Sequence, residues 1–306
     1  MQTTEAFEHL VRKLNKPTLA IKDQQDFNEI RLQNVIEALT VKPVFLPVQI
    51  QMPAAVQTLP ISGYTTELKY PVVITGAITD GENKKISFGF NLENTKPFVS
   101  TNATATKLTL EAIAGKSLQS AGRNGIQEFQ PFLLQANDTL KVDVYKPEAT
   151  NDIEMVTICF VGYRVFSDAF INEVFTPEIE AKVKKEIQLR VTPQQRFDAC
   201  AVEFSDNVAT ANTTKVDEPR LVYGFRTTVS DAMLVVGFDN NEPFSKDYFP
   251  IWAIAAEAGN NPDNYRFLKR PIFLAPGERL YFYLKDSING TVFAGDGQIE
   301  LFETTV

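Results

Sequence analysis

One fifteen-residue segment of the chain recurs in altered form 140 residues later. Residues 131–145 read PFLLQANDTLKVDVY, and residues 271–285 read PIFLAPGERLYFYLK. Each begins with proline, turns through a short polar pair, and resumes at Leu140 or Leu280 with apolar residues at every second position. The polar pairs are Asn137-Asp138 and Gly277-Glu278. Because period-two alternation puts one side of a strand in a core, both segments predict a β-hairpin.

Three further matches occur in the same order along the chain. They pair PVVITGAIT from Pro71 with PRLVYGFRT from Pro219, FGF at 88–90 with VGF at 236–238 (a Pro-Phe follows each), and YRVF at 163–166 with IELF at 299–302. The offset shrinks as loop deletions in a second copy would make it, from 148 residues at Pro71 to 146 at Pro97, 140 at Leu140 and 136 at Tyr163. We interpret the chain as a duplicated all-β domain with copies of about 110 to 125 residues. The alternative is that any β-sandwich contains alternating runs of this kind.

The segments outside the two copies have helical patterns. Thr4 to Leu14 and Asp26 to Leu39 carry apolar residues at helical spacing, and an extended NKPTLAIKD (15–23) is expected between them. The segment SDAFINEVFTPEIEAKVKKEIQLRV predicts a helix between the β domains, with Thr176 as N-cap and Pro177 in the first turn. On the apolar face of that helix we expect Ile179, Val183 and Ile187.

These patterns divide the chain into four predicted parts. They are an N-terminal helical arm at 1–42, a first β domain at 43–168, a linking helix at 169–191 and a second β domain at 192–306. The apolar stripes of the arm are too short to form a core of their own, so we expect the arm to dock on something else. We assign it to assembly, against a neighbouring chain or a membrane, and the alternative is that it covers a β domain of its own chain.

Composition limits the classes of function. A net charge of −8 argues against a surface that grips nucleic acid, and we expect Lys182, Lys184 and Lys185 to lie in the last turns of the linking helix. The two cysteines, Cys159 and Cys200, lie among apolar neighbours and are expected to be buried free thiols. The first residues lack the apolar core of a signal peptide, and no run approaches the ~18 apolar residues of a membrane span.

Candidate catalytic or binding groups are few. His9 is the only histidine and lies in the arm, which disfavours triad catalysis and multi-histidine metal sites. Six acidic residues could serve as glycosidase carboxylates or as Ca²⁺ ligands, but they are better explained as turn residues. They are Asp80, Glu82, Asp231, Asp239, Glu242 and Asp247. Gly122 to Gln127 lacks the lysine of a phosphate loop, and the aromatic residues Trp252 and Tyr281 to Tyr283 are expected to pack rather than to bind sugars.

With its repeat from Pro71 to Phe302, its helical arm before Pro43 and its linking helix, the chain resembles the double jelly-roll major capsid proteins. These proteins form the shells of icosahedral viruses that mostly carry an internal membrane, including small bacteriophages. The resemblance covers the whole chain and rests on architecture. It implies an all-β fold of two tandem jelly-roll β-barrels with an N-terminal helical arm and a linking helix.

The resemblance also implies a function and its partners. The chain would form pseudo-hexagonal homotrimeric capsomers and contact neighbouring capsomers, penton and minor capsid proteins and, where one is present, an internal lipid membrane. It would be made in the host cytoplasm and located in the virion. Neither an enzymatic activity, nor a cofactor, nor sequence-specific nucleic-acid binding is expected, and a structural metal ion is left open. The alternative is an accessory or receptor-binding virion protein with a glycan-binding β-sandwich.

Overall fold

The computed structural model describes residues 21–80, 85–90, 108–116, 126–190, 192–205, 207–229, 232–238, 244, 247–257, 265–285 and 297–306. Most of these residues lie in antiparallel strands, which confirms the all-β prediction. Several sequence patterns fall wholly or partly outside the described residues. They are the predicted helix from Thr4 to Leu14, the Pro97-Phe98 pair, and the Asp-Gly and Asn-Gly dipeptides at 80–81 and 289–290, which predict tight hairpin turns.

In the part of the chain that the structure describes, nine strands belong to the first half and nine to the second. The strands of the first half are β1 (Val41–Met52), β2 (Gln57–Tyr64), β3 (Val72–Thr79), β4 (Lys85–Phe90), β5 (Leu108–Thr109), β6 (Gly115–Lys116), β7 (Gln127–Leu134), β8 (Leu140–Lys146) and β9 (Glu154–Val165). The strands of the second half are β10 (Gln195–Val202), β11 (Val208–Asn212), β12 (Arg220–Thr227), β13 (Met233–Phe238), β14 (Phe249–Pro250), β15 (Ala255–Glu257), β16 (Arg266–Leu274), β17 (Leu280–Lys285) and β18 (Gly297–Thr305).

The two halves pair their strands in the same order. In the first half, sheet A runs β1-β9-β3, with β6 and β7 also paired to β3, and sheet B runs β2-β8-β4-β5. In the second half, sheet C runs β10-β18-β12, with β15 and β16 also paired to β12, and sheet D runs β11-β17-β13-β14. Each strand of one half therefore has a counterpart nine strands later in the chain.

The predicted equivalences at Pro71 and Leu140 agree with this pairing. Pro71 precedes β3, and Pro219 precedes the matching strand β12. Leu140 begins β8, and Leu280 begins the matching strand β17. Side-chain contacts repeat as well. The hydroxyl of Thr65 accepts the Leu140 amide at 2.9 Å, and the hydroxyl of Thr213 accepts the Leu280 amide at 3.1 Å.

The repeated hairpins share one backbone device. Asn137 and Gly277 occupy the same place in the β7–β8 and β16–β17 turns, with φ of 67° and 91°. Asparagine and glycine are the residues that adopt this left-handed conformation most readily, so the sequence meets one requirement in two ways. Each of the two amides also donates at 2.7 Å, to the carbonyl of Leu68 and of Val216 respectively.

The fourth predicted match was out of register. Val161 lies opposite Gly76 in the first half, and Phe302 lies opposite Gly224 in the second, so the true offset of β9 and β18 is 141 residues. The predicted match of Tyr163 with Ile299 implied an offset of 136 residues. The right strands were paired, but the shared final phenylalanine of YRVF and IELF set the wrong alignment.

Each half encloses its own apolar core between its two sheets. In the first half, the even-numbered residues of β1 from Val44 to Met52 point inward and meet β9 residues such as Ile158 and Phe160. The second core is built in the same way, from residues such as Val202, Val222 and Leu301. Alternation along each strand leaves the odd-numbered β1 residues on the outer face of sheet A.

Helices cover part of the outer face of sheet C. They are α1 (Ile21–Thr40), α3 (Asp168–Val174) and α4 (Pro177–Leu189), while the short α2 (Leu110–Ile113) belongs to the first half. Val35 and Ala38 of α1 pack with Val183 and Ile187 of α4, and the strand residues beneath them are Leu221 and Phe273. The described part of the arm thus covers the second half of its own chain. This is the alternative given above, in which the arm covers a β domain of the same chain. An assembly role stays a prediction for residues 1–20.

Three details of these helices differ from expectation, and one agrees. The helix α1 begins at Ile21, so 21–23 are helical rather than extended. The linker holds two helices instead of one, and Thr176 caps the second as predicted, with its hydroxyl accepting the Ile179 amide. The last turn of α4 holds no basic residue, so the prediction for Lys182, Lys184 and Lys185 was wrong.

Arg31 of α1 adds a positive charge at the end of α4, beside that of the C-cap residue Arg190. Its buried guanidinium donates to the carbonyls of Ile187, at 3.1 Å, Arg190 and Val306. Burial lowers the pKa of Arg31, and the nearby charge of Arg190 adds to this. One side chain therefore ties α1 to the end of α4 and to the end of sheet C, where a cation favours the helix dipole.

Replacing Arg31 by Ala is expected to destabilise the protein by about 2 to 4 kcal/mol, because three buried carbonyls lose a charged donor. Thermal unfolding measures the loss, and amide hydrogen exchange should show α1 exchanging faster. The matched control is Gln33→Ala, an exposed position of the same helix. Equal unfolding temperatures for the two variants would contradict this account of the arm.

Candidate functional site

The outer face of sheet A is buried against the second half of the chain. Phe45 points away from its own core and stacks on Phe249, with ring centroids 4.4 Å apart and 17° between the planes. Only 1% of Phe45 is exposed, and Ile78, Cys159 and Val161 join the core of the second half beside it. We call this contact between the halves the junction.

Polar contacts surround the junction. The Gln49 amide reaches the sulfur of Met233 at 3.8 Å, and Lys269 pairs with Glu128 at 3.6 Å. The Thr66 hydroxyl donates to the carboxylate of Asp247. Asp247, weighed above as a catalytic or Ca²⁺-binding carboxylate, therefore helps to hold the two halves together.

A cavity of about 200 Å³ opens at the junction. Its wall includes Phe45, Thr75 and Tyr163 from the first half and Arg266 and Leu268 from the second. Burial raises the pKa of Tyr163 to about 12. The wall is thus mixed, with aromatic and aliphatic carbon beside the hydroxyls of Thr75 and Tyr163, the guanidinium of Arg266 and the ion pair of Glu128 and Lys269.

Arg266 is the least satisfied charged group among the described residues. It is 2% exposed, its Nε reaches only the Ala255 carbonyl at 3.5 Å, and both terminal nitrogens lack a hydrogen-bond partner within the described chain. Burial lowers the pKa of Arg266 to about 10, and the nearby Cys159 opposes this shift. A buried charge without a partner costs stability, so Arg266 is a weak point of the junction.

Both cysteines are buried and free, as predicted. Burial raises the pKa of the Cys159 thiol strongly and that of Cys200 to about 12. Because the thiolate is the reactive form of cysteine, neither side chain is suited to nucleophilic chemistry in the folded chain.

Five aromatic side chains form a cluster on the outer face of sheet C. Phe302 lies at its centre, with ring centroids 5.4 Å from Phe197, 5.8 Å from Phe267, 6.0 Å from Tyr265 and 6.5 Å from Tyr223. Phe197 is 67% exposed and Phe267 is 47% exposed. We call these five residues the aromatic cluster. Exposed aromatic groups of this kind mark contact surfaces for other molecules.

Paired charges border the aromatic cluster. Arg226 donates through Nε to Glu300 at 2.8 Å, and the Tyr265 hydroxyl lies 3.3 Å from the same carboxylate. Arg196 pairs with Glu218 at 2.7 Å. These charges neutralise one another within the chain, so the surface can lose its water without leaving a bare ion.

A second aromatic pair lies on sheet D. Tyr281 and Tyr283 stack with centroids 6.2 Å apart and 15° between their planes, and Arg279 lies over the Tyr281 ring at 4.6 Å. Phe282, between them in the sequence, faces the core. The expectation that this segment packs therefore holds for Phe282 and not for Tyr283, which is 46% exposed.

The remaining sequence candidates form no joint site in the part of the chain that the structure describes. Asp80 accepts the Thr157 amide at 2.7 Å, and Trp252 packs partly buried against the second core. His9, Glu82, Asp231, Asp239, Glu242 and most of the loop at 122–127 lie outside the described residues. Within the described ranges, no group of three or more His, Cys, Asp or Glu is placed to hold a metal ion.

Sequence analysis missed the aromatic cluster, although one signal was present. In QRFDACAV the core residues Cys200 and Val202 stand at even positions, and Phe197 stands at an odd one. A large aromatic residue on the outward phase of a strand indicates a contact surface.

Among the described helices, none combines the length and the apolar character needed to cross a membrane.

Replacing Arg266 by Met is expected to stabilise the protein by about 1 to 3 kcal/mol, because an unpaired buried charge gives way to an apolar chain of similar length. Thermal unfolding at neutral pH measures the change. Arg270→Met, at an exposed position of the same strand, should alter the unfolding temperature little. A lower unfolding temperature for Arg266→Met would mean that the guanidinium has a partner in solution.

Comparison with known proteins adds no relative to these observations. No protein-family model matches the chain, and no curated protein matches it significantly. Its function must therefore be inferred from its fold and surfaces.

Proposed function

We propose that this chain is a structural protein of an icosahedral virus shell, a double jelly-roll major capsid protein that forms homotrimeric capsomers. Each half would be one jelly-roll barrel. The proposal extends the observed all-β fold to a named architecture and to a role in assembly.

The strand order carries this proposal. A jelly roll places eight strands in two four-stranded sheets, with the first strand beside the last and the second beside the last but one. In the first half, β1 lies beside β9 and β2 beside β8, and the sheets run β1-β9-β3-β7 and β2-β8-β4-β5. The second half repeats this order from β10 to β18. The short β6 and β15 are additions at the edges of β3 and β12.

Assembly explains why two such halves stand in one chain. Two barrels fixed side by side through the junction give one third of a six-barrel ring, and three chains complete it. Its partners would be neighbouring capsomers, penton and minor capsid proteins and, where the virus has one, an internal lipid membrane. The proposed location is the virion, with synthesis in the host cytoplasm. We propose no catalytic role, no cofactor and no sequence-specific nucleic-acid binding.

The purified chain is expected to form trimers with a near-hexagonal outline. Mass photometry from nanomolar to micromolar concentrations gives the number of chains per particle, and negative-stain electron microscopy gives the outline. In purified virus particles the chain should be the most abundant protein. A protein that stays monomeric at every concentration would contradict the capsomer proposal.

A receptor-binding or accessory virion protein is the second candidate, and the tyrosine pair on sheet D favours it. Parallel tyrosine rings with an arginine beside them resemble the platforms on which sugar rings stack. The groups concerned are Tyr281, Tyr283 and Arg279.

This second candidate predicts glycan binding that depends on the tyrosine pair. A glycan array should then give binding that Tyr283→Ala abolishes, while Leu59→Ala, an exposed apolar position in the first half, leaves it unchanged. Trimers without glycan binding would favour the shell protein, and monomers with glycan binding would favour the receptor-binding protein.

A further inference from the structure

We infer that the aromatic cluster is the docking site for the first half of a neighbouring copy of this chain. The inference rests on the proposed capsomer and deepens it, because it assigns the contact between copies to particular side chains. Its basis is the equivalence between the two halves of the chain.

The aromatic cluster occupies the positions that form the junction in the first half. Phe45 lies opposite Val161 in sheet A, and Phe197 lies opposite Phe302 in sheet C. The register of β3 shifts just before Gly76, and that of β12 shifts just before Gly224, so we call these two residues the bulge glycines. Val161 lies opposite Gly76, and Phe302 lies opposite Gly224. Phe197 is therefore the counterpart of Phe45, and Phe302 is the counterpart of Val161.

Four further positions of the two surfaces correspond. Thr75 and Tyr223 each precede the bulge glycine. Gln127 lies opposite Ala77, and Arg266 lies opposite Phe225, so the residues before them, Ile126 and Tyr265, match as well. The same register makes the facing pair Ile78 and Cys159 the counterpart of the ion pair Arg226 and Glu300.

The two equivalent surfaces differ in whether something covers them. Phe45 is 1% exposed because Phe249 of the second half stacks on it. Phe197, in the same place on the second half, is 67% exposed. Within one chain, the second half covers this surface of the first half, while its own equivalent surface stays exposed. The first half of another copy therefore fits the exposed surface.

The register also identifies what the neighbouring copy would present. Phe249 lies opposite Leu234 in sheet D, and Leu108 lies opposite Ile86 in sheet B. Leu108 of β5 is therefore the counterpart of Phe249. A neighbouring copy would place β5 and the adjoining α2 over the aromatic cluster, as β14 and its following turn lie over sheet A within one chain.

This contact joins two different surfaces, so it is head-to-tail. Head-to-tail contacts give closed rings when the rotation between copies divides the circle, and open filaments otherwise. If the contact between copies repeats the junction within a chain, the halves alternate around a ring, and three chains supply its six places.

Substitution tests the contact directly. Phe197→Asp places a charge in the proposed interface at an exposed position, where the fold tolerates it. It is expected to raise the concentration at which half the chains are trimeric by about a hundredfold, with little change in unfolding temperature. Tyr283→Asp is the matched control, since it is a similarly exposed aromatic on the other sheet of the same half.

Disulfide cross-linking tests the identity of the neighbour. The native cysteines are buried, so added cysteines react alone. A mixture of Phe197→Cys and Leu108→Cys chains should give a cross-linked dimer under mild oxidation, because the corresponding residues Phe45 and Phe249 touch. A mixture of Tyr283→Cys and Leu108→Cys chains should give none.

The outcomes separate this inference from the proposed function. A wild-type trimer that Phe197→Asp leaves intact, with no Phe197–Leu108 cross-link, would overturn the inference and keep the capsomer. A wild-type chain that is always monomeric would overturn both. Cross-linking of Phe197→Cys to a cysteine placed within residues 1–20 of the same chain would assign the cover to the arm and overturn the inference as well.

Discussion

The stacking of Phe45 on Phe249 is the contact on which the arrangement of the molecule depends. Two sheets packed face to face bury one face of every strand, and an apolar residue on the other face needs a cover from outside the pair of sheets. The second half of the same chain covers sheet A, and Ile78, Cys159 and Val161 of sheet A pack into the core of that second half. The two halves are therefore joined by packing as well as by the linker. The unpartnered charge of Arg266 lies beside that contact, among buried apolar side chains.

Sheet C meets the same need in two ways along its outer face. Near the start of β12, α1 and α4 cover Leu221 and Phe273, and Arg31 fixes the two helices together through main-chain carbonyls. Further along the strands this cover gives way to the aromatic cluster. One sheet thus carries a permanent intramolecular cover beside an open surface. The described part of the arm defines where that open surface begins, whatever residues 1–20 contribute to assembly.

The sequence allowed the strands and their duplication to be predicted because both depend on local pattern. Alternation located the hairpins, and the turn requirement at Asn137 and Gly277 fixed their register. The YRVF match failed because β9 is buried along most of its length while β18 alternates, so the two strands share no pattern that aligns them, and no turn residue fixes their register. The role of Arg31 was invisible because its acceptors lie 156 or more residues away. The aromatic cluster was missed for a related reason. The outward phase of Phe197 can be derived from its strand, but its neighbours come from three other strands whose order is a property of the fold.

Differences between the equivalent surfaces agree with a difference in when each is covered. The junction forms as one chain folds, so its surface can consist of Phe45, Val161, Ile78 and Cys159 without long exposure to water. A surface that waits for another copy must be compatible with water until that copy arrives, and it must then lose the water at little cost. The aromatic cluster has the composition that this requires. Tyr223 and Tyr265 replace a threonine and an isoleucine, and the paired ions Arg226 and Glu300 replace the apolar pair. The duplicated halves thus share one strand plan and differ in chemistry at the place where one half is covered by its own chain and the other is left for a neighbour.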